Sequence, residues 1–128
     1  YQNNNLGNKS VIHGDSVMTN ILINNYEKIK FIDMRGKIDN KLSLVGDSLY
    51  DWSKLYQSII GYDHILLDKE IDLEYQNEIK KVFNDYIINL YSKETLDDIK
   101  LITNSLLFSL IPLHDNEKCS KYFNLIDI

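Results

Sequence analysis

The chain has 128 residues, enough for one domain with a real core. Its net charge of −5 argues against nucleic acid or an anionic membrane as a partner. No apolar run approaches the ~18 residues of a membrane span, and the polar start Tyr1-Gln2-Asn3-Asn4-Asn5 lacks both the basic and the apolar part of a signal peptide.

Residues 1–9 are polar and Asn-rich, and read as a loop. Val11-Ile12 is a strand stub. Ile21-Leu22-Ile23 and Ile29 to Ile32 are β-branched runs flanking Asn24-Asn25, which predicts a β-hairpin. If Ile21 pairs near Ile32, Asn20 and Asp33 meet at its open end. Residues 34–46 are polar, contain Gly36 and Gly46, and read as loop.

Leu49, Trp52, Leu55, Tyr56 and Ile59 recur at helical spacing. Ser48 with Asp51 three residues on resembles a capping box, and Gly61 is placed just past the helix end. A second helix is expected over 68–91, with Tyr75, Ile79, Val82, Phe83, Tyr86 and Leu90 as its apolar stripe. A third starts near Thr95, buries Leu96, Ile99, Ile102, Leu106 and Leu110, and stops before Pro112. A last short helix carries Cys119, Tyr122, Phe123 and Ile126. Cys119 is the sole cysteine, so no internal disulfide forms. A buried thiol in a reducing cytoplasm is the expectation.

The chemistry concentrates in Val11-Ile12-His13-Gly14-Asp15-Ser16-Val17-Met18-Thr19-Asn20, followed by Asp33 after the next apolar run. Phosphoryl transfer asks a protein for a carboxylate near the attacking hydroxyl and for oxygen ligands that hold magnesium against nucleotide phosphates. Asp15 suits the first task. Asn20 offers a neutral carbonyl oxygen and Asp33 a charged one for the second.

His13-Gly14-Asp15-x-x-x-x-Asn20 is similar to the catalytic loop of the aminoglycoside phosphotransferase and choline kinase family, a branch of the kinase-like fold. Ile32-Asp33-Met34-Arg35-Gly36 occupies the place of that family's metal-binding Asp motif. Gly46-Asp47-Ser48-Leu49-Tyr50-Asp51-Trp52-Ser53-Lys54-Leu55 looks like its Gly-Asp-Pro-x-Tyr-Asp-Leu-Ala-Lys-Leu helix start. Leu110-Ile111-Pro112-Leu113-His114 is like a segment of its late helices. The resemblance spans residues 11–114, and the Ile-Asp-x-Arg-Gly form looks most like domains encoded with capsule or surface-polysaccharide enzymes.

The resemblance implies a mainly α fold with a small β-hairpin, the C-terminal large lobe of a kinase-like phosphotransferase. It implies Asp15 as catalytic base, Asn20 and Asp33 as Mg²⁺ ligands, and ATP or GTP as co-substrate. The acceptor is a small metabolite bearing a hydroxyl: a sugar, amino sugar, aminoglycoside or choline-like alcohol. His13 braces the loop. Arg35 pairs with an acid such as Asp47, or else touches substrate or phosphate. Asp47 and Asp51 are helix-start and loop-bracing acids. His64 and His114 are surface or packing residues, and the tyrosines Tyr50, Tyr56, Tyr75 and Tyr86 are core and boundary packing.

Two departures from the family pattern stand out. Met34-Arg35 replaces the Phe-Gly that follows the metal-binding Asp in protein kinases. No glycine-rich loop or strand lysine precedes Asp15, so the partner lobe that binds nucleotide is missing from these 128 residues, and the isolated chain is expected to have little or no kinase activity. The alternative is a degenerate, non-catalytic lobe acting as a binding module. Gly46-Asp47-Ser48-Leu49 also spells a serine-esterase nucleophile motif, but no histidine here has an Asp three residues before it, as that family's base requires.

Overall fold

The computed structural model describes residues 9–25, 27–38, 40–113 and 116–126. The expected loop over residues 1–8 and His114 lie outside them. The front of the molecule is built of short strands: β1 (Lys9–Val11), β2 (Ile21–Asn24), β3 (Lys28–Phe31), β4 (Lys37–Ile38), β5 (Lys41–Leu42) and β6 (Val45–Asp47). They pair as three antiparallel ribbons, β1 with β6, β2 with β3 and β4 with β5. The remainder is helical: α1 (Ser48–Ile59), α2 (Tyr62–Leu66), α3 (Leu73–Leu90), α4 (Lys93–Leu110) and α5 (Asn116–Phe123). The described residues are therefore mainly helical with small antiparallel sheets.

The hairpin forms where the β-branched runs place it, and Asn25 turns it at φ 47°, a conformation asparagine tolerates. Its register differs by one residue from the expected one: Ile21 faces Phe31 rather than Ile32. The Ile32 amide donates to the Asn20 carbonyl at 3.0 Å. Asp33 thus lies one residue beyond Asn20's direct partner, and its φ of +60° breaks the strand there.

Residues 34–46 are not all loop. They hold β4, β5 and the start of β6, and β6 pairs with the β1 stub through Lys9↔Asp47, Ser10↔Gly46 and Val11↔Val45. Strands of two or three residues leave too little alternation to be seen in sequence. Gly46 is required there because the Ile12 side chain fills the space a Cβ would take.

Helix starts are set by caps. Asp47 caps α1 by accepting from the Leu49 amide at 3.0 Å, so Ser48 is the first helical residue rather than the cap. Gly61, at φ +119°, follows the end of α1 as expected and opens α2, an extra short helix. α3 begins at Leu73, five residues later than residue 68, because Asp72 accepts from the Tyr75 amide at 3.1 Å. Ser92 caps α4 by accepting from Thr95 at 3.1 Å, and α4 ends at Leu110, ahead of Pro112.

The core lies between α1, α3 and α4, around Leu49, Tyr56, Ile59, Phe83, Ile87, Leu96 and Ile99. Small polar residues let α1 and α4 approach closely. Buried Ser53 donates to the Leu49 and Ile99 carbonyls at 2.7 and 3.2 Å, and buried Thr103 to those of Ile99 and Ser53 at 2.8 and 3.1 Å. Of the expected stripe of α3, Phe83 is buried and Ile79 partly so, and Ile87, outside that stripe, is fully buried. Tyr75, Val82, Tyr86 and Leu90 are exposed, so neither tyrosine belongs to the core, and Tyr86 packs at its boundary, 5.9 Å from the Trp52 ring. On α4, Leu96, Ile99, Thr103 and Leu107 are buried, and Leu106 and Leu110 only partly. Tyr122 of α5 is fully buried and stacks on Tyr62 at 5.6 Å. Cys119 is half-buried, and its thiol donates to the Ile111 carbonyl at 2.8 Å.

Candidate active site

One face of α1 holds the loop that carries Asp15. Asp51, Lys54 and Ser58 follow at spacings of three and four, so they line one side of the helix. The Asp51 carboxylate accepts from two successive backbone amides, His13 at 2.7 Å and Gly14 at 2.8 Å. Ser16 Oγ donates to the Asp51 carbonyl at 2.7 Å, and Ser58 Oγ accepts from the Met18 amide at 3.0 Å. Between them, Lys54 Nζ lies 3.1 Å from Asp15 Oδ1. Bonds of the first and last kind are charge-assisted and among the stronger ones available.

Gly14 is dictated twice over. Its φ is +78°, and a Cβ there would lie 3.0 Å from both Cβ and Nε of Arg35, which crosses it. The Arg35 amide also donates to the His13 carbonyl at 3.0 Å, tying the segment after Asp33 to the loop.

Asn20 reaches back across the turn. Its Nδ2 donates to the Asp15 carbonyl at 2.9 Å and to Asp15 Oδ2 at 3.1 Å. Each oxygen of the Asp15 carboxylate therefore has one partner, Lys54 or Asn20. A carboxylate offers about four acceptor positions, so capacity remains for a substrate hydroxyl. Because Asn20 spends its NH₂ group on Asp15, its carbonyl oxygen points the other way and suits a hard cation. The Asp33 carboxylate is exposed at the same end of the hairpin. A carboxamide oxygen and an exposed carboxylate are donors of the kind magnesium takes, few at a time beside its waters and phosphates.

The supporting residues are placed as follows. His13 Nδ1 accepts from the Asp15 amide at 3.3 Å, its ring lies 5.5 Å from Phe31, and its buried Nε2 has no partner among the described residues. Asp47 caps α1 and forms no ion pair with Arg35 among the described residues. Arg35 instead stacks over the ring of Tyr50, 4.9 Å from its centroid, and donates to its hydroxyl at 3.3 Å. Lys54 falls inside the motif over residues 46–55, which assigns it no role, and Ser58 lies outside every motif. Their signal is polar residues at helical spacing with Asp51.

Two clefts flank the loop. An apolar one of about 370 Å³ is lined by Ile12, His13, Phe31, Met34, Trp52 and Leu55 among others. A smaller one of about 260 Å³ lies on the other side, lined by Met18, Thr19, Ser58, Asp63, His64 and neighbours. Asp63 is buried there. Thr19 Oγ1 approaches its Oδ1 at 3.5 Å, and its Oδ2 has no partner among the described residues. His64, expected as a surface or packing residue, lines this cleft half-buried. Nearby, burial and then the charges of Asp15 and Asp63 push the Tyr62 phenol above its ordinary value.

Among the described residues no three of His, Cys, Asp and Glu gather as a metal group, and the donor set above draws on an asparagine instead. No protein-family model matches the chain, and neither a curated protein nor a solved structure matches it significantly.

Proposed function

We propose that this chain is the lobe of a small-molecule phosphotransferase that carries the acceptor and metal residues, moving the γ-phosphoryl group of ATP or GTP to a hydroxyl. The observation that carries the reading is the pairing of Asp15 with Asn20, within a loop whose backbone is gripped by Asp51. A carboxylate fixed this way is preorganised to orient a hydroxyl, which is most of what phosphoryl transfer asks of a protein.

In this reading the acceptor hydroxyl donates to Asp15 and passes its proton there as the new O–P bond forms. The bond from the γ-phosphorus to the bridging oxygen breaks, and the nucleoside diphosphate leaves with that oxygen. Asn20 Oδ1 and the Asp33 carboxylate would hold a magnesium ion, which would supply positive charge against the nucleotide phosphates. Thr19 and the buried Asp63, in the cleft beside the loop, offer polar contacts to a hydrophilic acceptor such as a sugar, amino sugar, aminoglycoside or choline-like alcohol. The nucleotide-binding lobe is a further part of the same protein in this proposal.

The test is ADP or GDP release by the full gene product carrying this chain, with Mg²⁺ and a panel of such acceptors. Asp15→Asn should lower acceptor-dependent turnover by about 10²–10⁴-fold with the circular dichroism spectrum unchanged. Undiminished turnover in that variant removes Asp15 from the chemistry.

A further inference from the structure

Asp15, Asn20 and Asp33 present a problem of selection. A carboxylate is a better magnesium ligand than a carboxamide, and Asp15 lies within hydrogen-bond distance of Asn20. Nothing in those residue types alone keeps the cation from Asp15. Yet a carboxylate spent on the metal is a poorer acceptor for the substrate's proton.

Lys54 resolves this. Its ammonium is 3.1 Å from Asp15 Oδ1, and its side chain is 15% exposed against 39% for Asp15. It is fixed from behind by the same helix face that grips the loop, since Asp51 one turn earlier binds the His13 and Gly14 amides and Ser58 one turn later binds the Met18 amide. These bonds hold the backbone of α1 against the loop and so keep the root of the Lys54 side chain beside Asp15. Asn20 covers the other oxygen with an NH₂ group, which also repels a metal.

We infer that Lys54 is a positioning residue that divides the work: it fixes the Asp15 carboxylate for the acceptor hydroxyl and keeps the divalent cation on Asn20 and Asp33. The inference rests on the phosphotransferase reading and goes beyond it, because it assigns a role to a helix residue outside the Asp15–Asn20 loop and the Asp33 segment. Lys54 touches neither metal nor phosphate in this scheme.

The experiment is a Mg²⁺ titration of the ¹³C,¹⁵N-labelled chain, following the chemical shifts of the Asp15 and Asp33 carboxyl carbons and the Asn20 side-chain amide. In the parent chain, Asp33 and Asn20 should shift with Mg²⁺ and Asp15 should move far less. In Lys54→Met, Asp15 should shift as far as Asp33, and the Mg²⁺ midpoint should fall by roughly tenfold, the scale of one unit charge removed from a partly exposed site. Lys54→Arg should keep the parent pattern. Lys54→Gln, neutral but still polar, should behave as the Met variant and serves in its place if that variant does not fold. Shifts that are identical in the neutral variants and the parent overturn the role of Lys54 while leaving the metal site standing. No shift at Asn20 and Asp33 in any of these chains overturns the metal site and this inference with it.

Discussion

The two ends of this molecule are held together by different means. At the helical end, Ile87, Ile99, Leu107 and Tyr122 are completely buried and stability comes from apolar packing. At the strand end, Val11, Phe31 and Leu42 are 72%, 52% and 85% exposed, and the segments are two to four residues long. Such ribbons have no core of their own. Their loop is fixed by polar bonds to α1, which belongs to the other end. The lesson is that the candidate site borrows its rigidity from a helix whose apolar side is committed to the core.

Several substitutions would break that contrast, starting with the core. Ile99→Ala removes a fully buried side chain between α1 and α4 and should cost about 2–5 kcal/mol in chemical denaturation. Both ends should then unfold together, because the loop has no other anchor of comparable strength.

Asp51→Ala acts on the front alone. It deletes the acceptor for the His13 and Gly14 amides and should lower the free energy of local opening by about 2–3 kcal/mol. Amide exchange should quicken over residues 12–18 and stay slow in α4. Uniform quickening of both would show that the two ends are one cooperative unit.

Gly14→Ala forces a side chain into a left-handed conformation against Arg35 and should cost about 1–2 kcal/mol. Thermal unfolding reads this, and an unchanged midpoint would mean that Arg35 does not cross the loop.

The smallest effect concerns Tyr62. Its folded value lies above the ordinary tyrosine value, so above that ordinary value the unfolded chain loses a proton that the folded chain keeps. Its contribution is fully present below the ordinary value and is lost as pH rises through the folded one. Tyr62→Phe should therefore flatten the alkaline fall in stability, and an equally steep fall would place the responsible group elsewhere.

Much of the helical end is legible in sequence because its signals are local. Gly61 and Pro112 mark ends, and Phe83, Leu96 and Ile99 keep helical period. The misjudged face of α3 has a clear cause. Tyr75, Val82, Tyr86 and Leu90 are apolar at helical spacing, but the helix turns only its Phe83–Ile87 side to α1 and α4. The short strands β4 to β6 escape notice because their pairing is long-range and carries no periodicity. In the site, Asp15 and Asn20 are singled out by their spacing, but the bonds between them are not legible, because the irregular turn that closes them carries no periodicity. Lys54 is not, because its contact with Asp15 exists only once α1 has docked across the loop.

The central claim is that Asn20 and Asp33 hold one phosphate-bound cation beside Asp15, which stays free of it and paired with Lys54. A crystal structure of the full gene product with Mn²⁺ and a non-hydrolysable ATP analogue tests it most directly through anomalous density. The account predicts a manganese peak within bonding distance of Asn20 Oδ1 and an Asp33 oxygen, with the γ-phosphate turned toward Asp15 and Lys54 still paired to it. A nucleotide seated elsewhere, with no anomalous peak between Asn20 and Asp33, would contradict it.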